Sequence, residues 1–262
     1  FSTHDASFGF FEGSTMIYWV SSVFMLLAGV NFSLHFFAWK SRSLSTYIKD
    51  SEFKAYLGLL LSVVIISGLV LMSSSSGSSE EVPFSQMFFQ VVSIGTTTGY
   101  TSSGYGMWPI FIPFLLLLLS FVGGSVGSTG GGLKVARCLI LFKQGLREAK
   151  RLVHPSAEIV VKINQKGVEQ RILDSVWGFM SAYIGILVVF TLIMLACGLN
   201  ELTAFSAVAA SLNNLGPGLG DVFINYADLG SLPKWVCISA MILGRLEIFA
   251  LLVLFTPTFW QD

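Results

Sequence analysis

Apolar residues crowd into five long stretches, at residues 16–39, 56–72, 108–142, 176–198 and 233–260. Each is long enough to cross a hydrocarbon core about 30 Å thick. The first, second, fourth and fifth are predicted as ordinary transmembrane helices, because a backbone in lipid must satisfy its own hydrogen bonds. Glycines interrupt the third. Two further apolar runs, 84–93 and 203–212, make only about three helical turns and are too short to span. The first follows a Ser-rich linker at 73–79, and Thr203 is placed to cap the second. A span precedes each short run and another follows it, so one plan occurs twice.

The composition agrees with a membrane protein. The hydrophobic set is 53% and charged residues are 11%, against roughly 25% charged in a soluble domain. That excludes disorder, a disulfide scaffold and an ordinary cytosolic enzyme. Net charge is zero, so electrostatics does not nominate nucleic acid as a partner. Thirteen of the fifteen Lys and Arg residues lie in two connections. Lys40, Arg42, Lys49 and Lys54 join the first two spans. Lys134, Arg137, Lys143, Arg147, Lys150, Arg151, Lys162, Lys166 and Arg171 precede the fourth. The connections at 73–107 and 199–233 hold neither residue type. The positive-inside rule places the basic pair in the cytoplasm and the bare pair outside. Trp19, Trp39, Trp108, Trp177, Trp235 and Trp260 fall mostly at span ends, as interface anchors do.

The bare connections carry the candidate chemistry. After the first short helix comes Gly95-Thr96-Thr97-Thr98-Gly99-Tyr100, and after the second Asn213-Asn214-Leu215-Gly216-Pro217-Gly218. Non-helical backbone at membrane depth is tolerated only where it is buried or lines a wet cavity. Gly99 and Gly216 permit backbone conformations closed to other residues. Their carbonyls can then replace an ion's hydration shell, and the hydroxyls of Thr97 and Thr98 add oxygens suited to hard monovalent cations. No Asp or Glu sits in either turn, which argues against a divalent-cation ring. The string Thr97-Thr98-Gly99-Tyr100 resembles the potassium-channel filter.

Span three is split by the run 123–132, in which six of ten residues are Gly. Each Gly costs a helix about 1 kcal/mol relative to Ala. The run is therefore predicted as a flexible, polar, non-helical loop near mid-membrane, below the turns and able to obstruct ion flow. Gly123-Gly124-Ser125-Val126-Gly127 matches a hydrolase elbow, but a membrane helix precedes it and His4, His35 and His154 offer no partner geometry. A P-loop fails because Leu133 separates Gly132 from Lys134 and Val135 replaces Ser or Thr. Arg245 falls near the middle of span five, where an Arg costs about 2.5–3.5 kcal/mol. It must face the interior, toward loop carbonyls and the hydroxyls of Ser125, Ser128 or Thr129. Glu247 is a poor alternative, because i,i+2 residues do not face each other on a helix.

The long basic connection contains β-prone runs at 158–163 and 168–173 around Asn164-Gln165-Lys166-Gly167, and reads as a β-hairpin. A lone hairpin is marginal in water, so it rests on its own chain or on a partner. Cys138, Cys197 and Cys237 are odd in number and scattered, and they form neither a disulfide framework nor a metal cluster.

Taken together, Phe1-Ser2-Thr3-His4, the runs 95–100, 123–134 and 213–218, and Arg245 make the whole chain resemble the later half of a Trk-type potassium-uptake protein, of the superfamily that includes Ktr and HKT transporters. The resemblance implies an all-α integral membrane fold. Potassium-channel-like repeats of span, pore helix, filter and span surround one pore, and a small cytoplasmic β-hairpin is added. Residues 1–50 become the tail of the second repeat and 51–157 the third repeat with its intramembrane loop. Residues 158–173 become the hairpin and 174–262 the fourth repeat. The opening residues read like the inside of a loop, and imply a chain that begins partway through a longer protein.

The resemblance further implies a potassium-binding filter at Gly95, Thr96, Thr97, Thr98, Gly99, Tyr100, Asn213, Asn214, Leu215 and Gly216. It implies a gate at Gly123, Gly124, Ser125, Gly127, Ser128, Thr129, Gly130, Gly131, Gly132, Lys134 and Arg245. The fourth filter departs from the potassium-channel string, which implies weaker discrimination. Potassium is the implied cargo, with rubidium or sodium as further candidates, and no catalysis and no covalent cofactor are expected. A homodimer in the bacterial cell inner membrane and a cytoplasmic nucleotide-binding regulatory ring (TrkA-like) are also implied. The competing expectation is a secondary transporter that couples potassium to sodium or protons, since transporters also use broken helices at mid-membrane. A non-transporting scaffold has no need of re-entrant turns.

Overall fold

A computed structural model describes residues 7–11, 14–74, 82–102, 104–157, 159–164, 166–246, 248–249, 253 and 259–260. The Phe1-Ser2-Thr3-His4 string, the linker beyond Ser74, Glu158, Gln165 and Glu247 lie outside them. Among the described residues the helices are α1 (Thr15–Ala28), α2 (Phe32–Ser41), α3 (Ser45–Lys49), α4 (Ser51–Ser74) and α5 (Phe84–Gly95). They continue with α6 (Phe111–Val122), α7 (Val135–Val153), α8 (Gln170–Ala196), α9 (Glu201–Leu212) and α10 (Ser231–Arg245). Strands β1 (Lys162–Ile163) and β2 (Lys166–Gly167) pair antiparallel, with Ile163 opposite Lys166.

Among the described residues two helices, α4 and α8, are continuous, long and apolar enough to cross a bilayer. They are the second and fourth predicted spans. The first span is not an ordinary helix. It bends by 93° between α1 and α2. Asn31 starts α2, its side chain accepting from the Ser33 N–H at 2.8 Å. The carbonyls of Ala28 and Gly29, freed by the bend, accept N–H groups of the glycine loop. Of the fifth span, α10 reaches Arg245 with Leu246 as its C-cap, whose N–H still bonds the Ile242 carbonyl at 3.0 Å, and most of the remainder lies outside the described residues. The third divides as expected into α6 and α7 around residues 123–134.

Short helix α5 packs between α1 and α4 and also against α6, while α9 packs between α8 and α10. Both are almost wholly enclosed. Phe89 through Gly95 are buried in α5, and Ser206 through Leu212 in α9. Helices too short to span are thus wrapped in protein on nearly all sides. The cap of α9 is Asn200, whose side chain accepts from the Thr203 N–H at 2.8 Å. The predicted cap, Thr203, lies one turn inside, is fully buried, and bonds Asp221 through its hydroxyl.

The hairpin is shorter than its β-prone runs, and its second strand, Lys166–Gly167, falls in the predicted turn and not in the run 168–173. Residues 170–173 belong to α8, where the Gln170 amide bonds Asp174 one turn on and Leu173 is buried beside Ile140, Val161 and Val176. The continuous apolar run of α8 recruits them into its first turn. The hairpin rests on its own chain: Asn164 Oδ1 accepts from the Ser51 N–H at 2.7 Å, its amide donates to Asp50 Oδ2 at 2.8 Å, and Lys143 Nζ donates to the Lys162 carbonyl at 2.7 Å. These bonds gather both basic connections at one end of the molecule.

Candidate functional site

The two turns are copies. From residue 84 to residue 201, the starts of α5 and α9, is 117 positions, and both helices have twelve residues. Each helix closes on an αR residue, Thr96 and Asn213. The next residues turn left-handed, Thr97 at φ 55° and Asn214 at φ 53°, and Gly99 and Gly216 follow at φ 81° and 106°. The hydrogen bonds repeat too. Thr98 N–H reaches the Ser93 carbonyl and Leu215 N–H the Ala210 carbonyl, both at 2.8 Å. Asn tolerates the left-handed region, whereas a β-branched Thr there is strained. Thr97 is held by two bonds of its hydroxyl. It donates to the Thr96 carbonyl at 2.7 Å and accepts from the Gly131 N–H at 2.6 Å.

The turns meet each other. A Cβ on Gly99 would lie 1.9 Å from the Leu215 carbonyl oxygen, so only glycine lets the two backbones approach this closely. Among the described residues, the carbonyls of Thr97, Thr98, Gly99, Asn214 and Leu215 accept no hydrogen bond. Two carbonyls beyond them are tethered. Ser93 Oγ donates to the Tyr100 carbonyl at 2.7 Å, and the Tyr226 phenol donates to the Gly216 carbonyl at 2.9 Å. Burial pushes the Tyr226 phenol up from its ordinary value, so it stays a donor. The fully buried Asn213 side chain is committed to structure, accepting from the Tyr183 phenol and donating to Ser120 Oγ at 3.0 Å. The Thr96 and Thr98 hydroxyls bond each other at 2.7 Å. Of the two hydroxyls expected to add oxygens for cations, that of Thr97 is tied to the loop, and Thr98 shares its own with Thr96.

The glycine loop lies directly against these turns. A Cβ on Gly131 would lie 2.0 Å from the Asn213 carbonyl oxygen, and one on Gly130 would lie 2.9 Å from that of Thr96. The loop is not slack, as its composition suggests, but pinned on several sides. Leu133 N–H bonds the Phe121 carbonyl at 2.8 Å and closes its base. Ser125 N–H reaches the Gly29 carbonyl at 2.9 Å, Thr129 N–H that of Ala28 at 3.3 Å, and Phe32 N–H that of Gly127 at 3.2 Å. Val126 N–H bonds Glu52 Oε1 at 2.7 Å. The bend in the first span and the break in the third therefore satisfy each other's free backbone groups.

Arg245 Nη1 donates to the Thr129 carbonyl at 3.3 Å, while the Arg245 side chain itself is exposed. A loop carbonyl is thus its partner, as expected. The Ser125 and Ser128 hydroxyls, the other expected partners, are buried with no hydrogen-bond partner among the described residues. Lys134, at φ 75°, donates to the Gly130 carbonyl. The predicted filter and gate residues come together in one assembly. Sequence reasoning missed Glu52, Ala28, Gly29, Tyr183 and Tyr226. Glu52, a carboxylate at the mouth of an apolar span, carried a legible signal. The others are apolar or aromatic residues whose part depends on contacts distant in sequence.

Comparison with known proteins bears on this assembly. Residues 1–262 match the family TrkH, described as cation transport protein. The chain is 49% identical over 262 residues to the Trk system potassium uptake protein TrkH of Salmonella typhimurium, covering all of this chain and 54% of that protein. It is 37% identical over 266 residues to the Trk system potassium uptake protein TrkG of Escherichia coli, again covering all of this chain and 54% of the relative. The crystal structure of the potassium transporter TrkH from Vibrio parahaemolyticus superposes with a TM-score of 0.93 at 50% identity, over all of this chain and 56% of that one. The chain spans about half the length of the curated relatives it matches.

Proposed function

The chain belongs to the TrkH family of cation transport proteins, and from that premise we propose that it supplies two of the filter turns and the gate of a potassium-uptake pathway. The observation that carries the reading is the duplicated turn: matched left-handed residues at 97 and 214, matched glycines at 99 and 216, and carbonyls without a hydrogen-bond partner among the described residues. Such carbonyls suit a dehydrated monovalent cation. Potassium is the cargo that the relatives are named for, and rubidium follows it by chemistry.

In this reading the filter is Gly95 to Tyr100 together with Asn213 to Gly216. The gate is Gly123 to Gly132 with Lys134 and Arg245. The closed loop holds Gly131 against Thr97 and Arg245 against Thr129. Opening breaks both bonds, and removing the Arg245 cation lowers the electrostatic barrier for another cation. The same reading sets the chain in a bacterial inner membrane as part of a homodimer. A nucleotide-binding ring of the TrkA kind then docks on the exposed strand β2 at the basic end.

Rubidium uptake into liposomes tests the reading, using the full-length protein that contains this chain, without a sodium or proton gradient. Flux down the rubidium gradient alone, raised severalfold in Arg245→Ala, is the expected result. Flux that needs a second ion gradient would overturn the channel and favour coupled transport.

A further inference from the structure

Helix α7 runs from the loop to the basic end of the molecule and carries its polar and apolar residues on separate faces. Lys143, Arg147 and Lys150 share one face at i, i+4 and i+7. Across from them lies the segment leading into β1, with exposed Val160 and with Lys162. Together they line a cleft of about 170 Å³, with Leu146 at its edge. The cleft is pre-built, because Lys143 Nζ already bonds the Lys162 carbonyl and fixes the segment against the helix. Its charge is unbalanced. Glu148 pairs with Arg147 at 3.0 Å and Arg151 at 3.4 Å. Among the described residues Lys150 and Lys162 have no carboxylate within ion-pair distance.

Depth selects the occupant. At 1.5 Å per residue, Lys143 and Arg147 lie about 12 and 18 Å along α7 from Val135. Half a hydrocarbon core is about 15 Å. On the reading that sets the loop at mid-membrane and α7 along the membrane normal, the cleft sits where acyl chains give way to headgroups. Its flanks suit that level, since Phe142 and Leu146 are exposed and apolar, one turn apart. We propose that this cleft binds the phosphate headgroup of an anionic phospholipid of the cytoplasmic leaflet, with Lys150 and Lys162 as its principal cations. The proposal rests on the membrane placement given above, but its test reads lipid binding and not ion flux, so either can fail alone.

The full-length protein is purified in detergent and titrated with phosphatidylglycerol or phosphatidylcholine, and native mass spectrometry counts the lipids retained. Preferential retention of phosphatidylglycerol is expected, weakened about tenfold or more in Lys150→Gln/Lys162→Gln. The single variant Lys150→Glu should weaken it further than Lys150→Gln. Lys234→Gln, at the opposite end, should leave it unchanged. Equal retention of both lipids, or undiminished retention in the double variant, would overturn the proposal and leave these cations to an acidic protein partner. Retention of inorganic phosphate that is lost in the double variant, with no preference between the two lipids, would overturn it in favour of a soluble anion.

Discussion

Thr97 and Gly99 occupy neighbouring places in one turn for opposite reasons. Gly99 is required by space, since its Cα abuts the Leu215 carbonyl. Thr97 is required by its hydroxyl, which offsets a left-handed backbone that a β-branched residue adopts at a cost of about 1–2 kcal/mol. Thr97→Val keeps the shape and removes both bonds. It should leave Gly131 N–H unpaired, at about 1–3 kcal/mol, and shift the rubidium-to-sodium flux ratio, whereas Thr97→Ser keeps the hydroxyl and should preserve that ratio. A valine variant indistinguishable from the serine variant in this flux ratio would show that the hydroxyl plays no part. Gly99→Ala meets backbone and not a movable side chain, and should abolish rubidium uptake even where the protein still inserts.

Broken helices are stable here because the breaks face one another. The bend between α1 and α2 frees carbonyls at Ala28 and Gly29, and the glycine loop between α6 and α7 brings N–H groups to both. Neither break would be tolerable in lipid by itself. Asn31→Ala should therefore cost more than a cap. The cap itself is about 1 kcal/mol, but the same side chain also lies beside Gly127. Amide exchange across residues 123–132 should quicken along with that of α2. Faster exchange confined to α2 would show that the two breaks are independent.

The whole molecule is organised by which backbone groups meet water. Basic connections gather at one end, clasped by Asn164 to Asp50 and Ser51, and the positive-inside rule expects the turns and their buried helices toward the other. In a background without the native cysteines, a cysteine at residue 166 should label from the cytoplasmic side and one at residue 224 from outside. Labelling of both from one side would contradict this orientation. Asn164→Ala removes the clasp and should destabilise the hairpin by about 1 kcal/mol, seen as faster exchange at residues 159–164 with α8 unaffected.

Much of this was legible in the chain itself, because the membrane imposes strong and local rules. The length of an apolar run decides whether it can span, and lysine and arginine placement decides its orientation. A run of glycines cannot remain a helix. Those rules yielded α4, α8, the two short helices, the loop between α6 and α7, and the pairing of Arg245 with a loop carbonyl. The bend in the first span was not legible, because the partners that tolerate it lie about a hundred residues away. Nor was the capture of the Thr97 hydroxyl by Gly131, or of the Gly216 carbonyl by Tyr226. Hydropathy is summed along the chain, but a hydrogen bond is satisfied across space. The sequence alone determined which segments are apolar enough to enter a membrane, and only the tertiary structure decided which turn carbonyls, among the described residues, were left without a hydrogen bond.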